Sequence, residues 1–139
     1  MALPKENRLR HRQDFKAVYQ KGGRHNGSHL TLRSLRQRGV ENHAVPGRQP
    51  KLLNPSKPTR IGISISQKVS KKAVIRNRIK RQIRAAFRQM LPRILSGWLV
   101  VVVVRPAACE CDYVEILREL EELLAEAEVL DGHSRGNLL

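Results

Sequence analysis

Three features of the sequence predict an α+β fold, a single α/β sandwich with helices packed on a three- to four-stranded sheet. Apolar residues recur at helical spacing in three separate stretches, 12–21, 70–91 and 112–129. Two stretches alternate apolar and polar residues as strands do, 29–37 and 60–66, and a third, 98–104, is continuously apolar. The resulting order is helix, strand, strand, helix, strand, helix, which places residues 1–130 in one domain followed by a flexible tail, 131–139. A chain of 139 residues is long enough for one modest core.

Each element has a local reason. Residues 1–11 are basic and irregular. In 12–21, Phe15, Val18 and Tyr19 fall on one helical face, and Gly22-Gly23 stops the helix. In 29–37, Leu30 and Leu32 point one way and Thr31 and Arg33 the other. Between 39 and 58, Gly39, Pro46, Gly47, Pro50, Asn54, Pro55 and Pro58 predict a long mobile loop. In 60–66, Ile61, Ile63 and Ile65 oppose Gly62, Ser64 and Ser66. One sheet face is therefore aliphatic and helix-covered, and the other is expected to stay open, with room for a ligand backbone. Strand 98–104 is buried on both faces and ends before Pro106. Asp112 and Glu115 have capping-box spacing, ahead of a stripe of Ile116, Leu117, Leu120, Leu123, Leu124 and Ala127. The connection from 60–66 to 98–104 through the long helix is a crossover, ordinarily right-handed.

Charge narrows the function. The net charge is +15 and the pI about 11.1, which favours polyanionic partners, nucleic acid before an anionic membrane. The excess is confined to residues 1–109, where 25 Lys/Arg stand against Glu6, Asp14 and Glu41. Residues 110–139 carry nine acids and two bases, so the last helix reads as an acidic surface element.

Helix 70–91 concentrates the basic character. At about 100° per residue, Ile75, Ile79, Ile83, Ala86, Phe87 and Met90 fall within an arc of about 120°. Arg78, Lys80, Arg81, Arg84 and Arg88 occupy the opposite side, Arg76 sits on the boundary, and no acid occurs from Arg60 to Arg93. A merely solvated face would interleave both signs. Guanidinium forks suit phosphate, and Asn77 adds a group that can donate and accept at a base edge or ribose.

Other classes find little support. Cys109 and Cys111, the only cysteines, lack the further ligands of a zinc site and are too close for an unstrained disulfide, which predicts reduced thiols in a cytoplasmic protein. No His pair has ligand spacing, so no protein-bound metal is expected. The N-terminus lacks a signal-peptide apolar region, and the longest apolar run is too short to span a bilayer.

The block Ile61-Gly62-Ile63-Ser64-Ile65-Ser66, then Lys68, then Ala73-Val74-Ile75-Arg76-Asn77-Arg78-Ile79-Lys80-Arg81-Gln82-Ile83-Arg84 resembles the arginine-asparagine-arginine signature of the bacterial ribonuclease P protein family. Arg8-Leu9, Asp14-Phe15, Val18-Tyr19, Lys21-Gly22 and Arg105-Pro106-Ala107 extend the resemblance over roughly residues 5–128. It implies a left-handed crossover through the basic helix, against the general rule. It also implies a protein subunit that works with a catalytic RNA and Mg²⁺ bound mainly by that RNA, removing the 5′ leader of precursor tRNA. The protein supplies no catalytic residue, and neither membrane nor DNA is a partner. By the same resemblance Lys68, Arg76, Asn77, Arg78, Lys80, Arg81, Arg84 and, on the same ridge, Arg88 face RNA. Phe15, Tyr19, Thr31, Arg33 and Ser64 line a leader cleft between the first helix and the sheet.

Three departures stand out. Arg33 occupies a position that is often aromatic in the family, so stacking there would pass to a guanidinium or give way to a phosphate contact. Ser70-Lys71-Lys72 replaces the usual Gly-Asn before the helix, and the 39–58 loop is longer than is typical. Charge and pattern alone would equally suit a ribosome-associated or assembly RNA-binding protein. An autonomous two-metal nuclease would need clustered carboxylates that the basic body lacks. A DNA-binding regulator would need a helix-turn-helix pairing that does not precede the basic helix.

Overall fold

The computed structural model describes residues 3–37 and 58–130. Three helices, α1 (Arg12–Lys21), α2 (Ala73–Met90) and α3 (Tyr113–Glu126), pack on four strands, β1 (Gly23–Asn26), β2 (Leu30–Arg36), β3 (Arg60–Ser64) and β4 (Trp98–Val104). The strand order is β1-β2-β4-β3, antiparallel except for the parallel pair β3–β4 that α2 connects. Apart from Pro58, the predicted 39–58 loop lies outside the described residues, as does the 131–139 tail. Among the described residues no helix is long and apolar enough to cross a membrane.

The continuous apolar run of β4 has a simple cause: both of its faces are covered. Val100, Val102 and Val104 join Leu30, Leu32 and Ile61 in the main core beneath α2 and α3. Leu99 and Val101 join Leu9 and Val18 in a smaller core beneath α1, with Phe15, Leu35 and Val103 at its margin. The expectation of an open second face is therefore corrected. Its polar rows alternate with apolar residues of β4, and α1 covers part of it.

Element ends differ from expectation for local reasons. β3 stops at Ser64 because a turn follows, with Val69 N–H donating to the Ser66 carbonyl at 3.0 Å. α2 begins at Ala73 rather than at 70, since Ser70 Oγ accepts from Lys72 N–H at 3.1 Å and holds that tripeptide in a turn. β1 has no counterpart in the sequence reading. Gly23, Arg24, His25 and Asn26 lack β-propensity and pair with β2 through a short connection. The N-terminal segment is also ordered by the sheet: Arg8 forms a parallel bridge with Ile61, and Leu9 N–H donates to the Ile61 carbonyl at 2.9 Å.

The acidic helix is more than a surface element. Glu119 of α3 accepts from the backbone N–H groups of His29 and Leu30, each at 2.8 Å, and its other oxygen lies 2.9 Å from His29 Nδ1. A Cβ on Gly27 would lie 2.8 Å from the Glu119 carboxyl carbon, so a side chain there would push the carboxylate off these hydrogen bonds. One carboxylate, only 12% exposed, thus fixes the start of β2.

Candidate RNA interface

On the α1 side, strand register arranges side chains in rows across the sheet. Gly62, Val101, Arg33 and Arg24 form one row, and Ser64, Val103, Thr31 and Asn26 the next. Phe15 of α1 lies on Gly62, where an added Cβ would sit 2.6 Å from the ring. Gly62 is therefore what lets the helix approach the strand. Phe15 is half-buried in this contact, whereas Tyr19, one turn later, is 39% exposed. The Arg33 guanidinium lies 4.9 Å from the Tyr19 ring centroid and donates to the Tyr19 carbonyl at 3.2 Å. Thr31 Oγ1 donates to Asn26 Oδ1 at 3.2 Å, and Ser64 is half-buried at the end of β3.

Beside β3 lies a cavity of about 390 Å³ that joins this surface to the basic helix. Phe15 and Gly62 border it, together with Arg8 and Arg10 from the N-terminal segment and Lys80 and Arg84 from α2. No carboxylate lines it. Four cations from distant parts of the chain therefore meet around one aromatic ring. The sequence gives neither Arg8 nor Arg10 a place in the site, because only the bridge to Ile61 brings them there.

The α2 ridge is less uniform than its helical projection. Asn77, Arg81 and Arg88 are exposed, while Arg76, Arg78, Lys80 and Arg84 are half-buried. Arg78 NH2 donates to the Cys109 carbonyl at 2.9 Å, and its Nε is buried without a partner. Arg76 NH1 donates to the Ser70 carbonyl at 2.8 Å. These two arginines brace the segments flanking the helix, a role that the wheel could not reveal. Lys68 is exposed in the loop after β3.

Both cysteines are free thiols engaged in packing. Cys109 Sγ donates to the Val69 carbonyl at 2.8 Å. Burial, reinforced by Glu115 and Glu119, pushes the Cys111 thiol up to about 11, which keeps it neutral and unreactive near pH 7. Among the described residues no group of three or more His, Cys, Asp or Glu side chains is placed to hold a metal ion.

Comparison with known proteins decides the family. The family described as Ribonuclease P matches residues 3–128. The chain belongs to the ribonuclease P protein family. The ribonuclease P protein component of Cyanothece sp. (strain PCC 7425 / ATCC 29141) is 57% identical over 131 residues, covering 94% of this chain and 99% of the relative. That of Microcystis aeruginosa (strain NIES-843 / IAM M-2473) is 52% identical over 133 residues, covering 96% and 100%. A solved structure of a Staphylococcus aureus RNase P protein mutant superposes with a TM-score of 0.73 at 28% identity, covering 91% of this chain and 92% of that one. Ribonuclease P proteins are subunits of a ribonucleoprotein endoribonuclease that processes tRNA and whose RNA carries the catalysis. Membership removes the ribosome-associated, autonomous-nuclease and DNA-regulator readings.

Proposed function

We propose that the α2 ridge and the α1 side of the sheet divide the RNA between them. The ridge, with Lys68, Arg76, Asn77, Arg78, Lys80, Arg81, Arg84 and Arg88, takes the catalytic RNA subunit. Phe15, Tyr19, Thr31, Arg33 and Ser64 take the unpaired 5′ leader of precursor tRNA. In this reading Phe15 offers an edge at the cavity, and a leader base stacks against the Tyr19–Arg33 pair. Arg78 acts chiefly by ordering the turn at Cys109. Mg²⁺ belongs to the RNA subunit, and the protein's cations reduce the phosphate repulsion that the metal must otherwise offset. The site of action is the cytoplasm, where both thiols stay reduced.

The observation that supports the division is the carboxylate-free cavity at β3, where Lys80 and Arg84 of the ridge share a wall with Phe15. RNA held on the ridge thereby lies next to the surface offered to the leader. The test uses holoenzyme reconstituted from the full chain and its RNA subunit. The Phe15→Ala, Tyr19→Ala variant is expected to lose roughly 1–3 kcal/mol of affinity per lost stacked base for precursor tRNA. It should lose little for mature tRNA, which has no leader. Equal losses for both, with a large fall in melting temperature, would assign the rings to the core alone.

A further inference from the structure

The β1–β2 ribbon meets acidic side chains of α3 on one face and carries two arginines on the other. On the α3 side, Glu119 meets His29, and Glu126 lies 3.7 Å from His25. On the α1 side, Arg24 stands directly across from Arg33 in the antiparallel register. Like charges in that position repel. Among the described residues neither arginine has a carboxylate partner. Arg33 is drawn onto the Tyr19 ring, while exposed Arg24 has Asn26 Oδ1 at 3.3 Å from its Nε. The same Asn26 oxygen accepts from Thr31, which leaves the exposed Asn26 amide N–H groups to donate outward.

This arrangement lies at the far edge of the sheet from α2. In the order β1-β2-β4-β3, three inter-strand steps of about 4.8 Å, roughly 14 Å, separate β1 from the cavity beside β3. At the ~3.4 Å rise of a stacked strand, that is about four nucleotides. The two rows described above lead directly across this distance, and among the described residues both end in β1, at Arg24 and at Asn26.

We propose that Arg24 and Asn26 extend the leader track to the β1 edge and hold backbone phosphates of the leader nucleotides farther from the cleavage site. Arg24 supplies the charge and Asn26 a directed donor. Repulsion between Arg24 and Arg33 is relieved when a phosphate enters between them. The inference rests on the leader assignment above and adds to it a dependence on leader length: short leaders end before β1, and long ones reach it.

The experiment measures the affinity of reconstituted holoenzyme for precursor tRNAs with leaders of roughly two, five and ten nucleotides, across a salt series. Arg24→Gln is expected to lower affinity for the longest leader by roughly three- to tenfold at low salt and to reduce its log–log salt slope by about 0.7. It should leave the shortest leader unaffected, and its melting temperature should hold or rise as the arginine repulsion disappears. Asn26→Ala should give a smaller loss of the same length dependence. If the wild-type protein gains affinity with leader length and Arg24→Gln gains it identically, the β1 extension is wrong and the leader assignment stands. If the wild type shows no leader dependence at any length, both are wrong. A loss equal at all lengths overturns the extension and makes Arg24 a general RNA contact.

Discussion

α2 and α3 bury their apolar faces in the same core, yet their remaining surfaces and their ends follow opposite rules. α3 has five acids and one base, and a complete capping box in which Asp112 accepts from Glu115 N–H at 2.9 Å and Glu115 accepts from Asp112 N–H at 3.0 Å. α2 has six bases and no acid, no side-chain cap at Lys72, and Arg76 close to its positive end. Like charges at Arg76, Lys80, Arg84 and Arg88 follow one another at i, i+4 spacing and destabilise a helix by about 0.2–0.5 kcal/mol per pair. α3 is built to be stable by its own local signals. α2 depends on tertiary packing and presents a surface that only a polyanion relieves.

The comparison would break first at the core. Phe87 of α2 and Leu120 of α3 are both fully buried. Phe87→Ala should cost about 3–5 kcal/mol and Leu120→Ala about 2–5 kcal/mol, read by denaturant unfolding. A small loss at Phe87 would mean that α2 does not lean on the core as described.

The exposed faces should separate next. Replacing Arg76, Arg78 and Arg81 with Ala is expected to weaken binding to the RNA subunit, each lost phosphate contact reducing the log–log salt slope by about 0.7–0.9. Circular dichroism should still report a folded helix. Arg78→Ala should contribute the least to the slope and the most to any fall in melting temperature, because its guanidinium holds the Cys109 carbonyl. Unchanged binding by the folded triple variant would make the ridge an ordinary solvated face.

Capping sharpens the contrast at smaller scale. Asp112→Ala should cost about 0.5–2 kcal/mol with no change in RNA affinity. Lys72→Asp should do the reverse, raising stability by about 0.5–1 kcal/mol through a new cap and favourable dipole contact while lowering RNA affinity. A variant that gained stability without losing RNA affinity would detach the uncapped end from function.

The smallest effect is chemical. The Cys111 thiol is raised from 9.0 to about 11, so the fold prefers the protonated form. Its contribution to stability is fully present below about pH 9 and is lost as pH rises through about 11. Alkylation at pH 8 should therefore be slow in the native protein and fast after denaturation. Rapid native labelling at Cys111 would show that α3 opens readily.

Much of this was legible because it is local. The three helices, the strand spans around Leu30, Ile61 and Val100, the Asp112–Glu115 cap and the sorting of α2 into apolar and cationic faces all follow from side-chain period and turn chemistry, which a linear chain displays directly. The resemblance to the ribonuclease P family rested on the same contiguous blocks. What only the tertiary structure decided involves residues far apart in sequence. β1 exists because β2 offers it hydrogen bonds, not because Gly23–Asn26 favours a strand. Arg8 and Arg10 reach Lys80 and Arg84 only because Arg8 bridges β3. Arg33 lies on Tyr19, Arg24 opposes Arg33, and Glu119 binds His29 because strand register and helix packing bring them together. No period in the sequence encodes these meetings: each depends on chain segments closing long loops onto a shared core, where burial and backbone pairing select one arrangement among many that the local pattern allows.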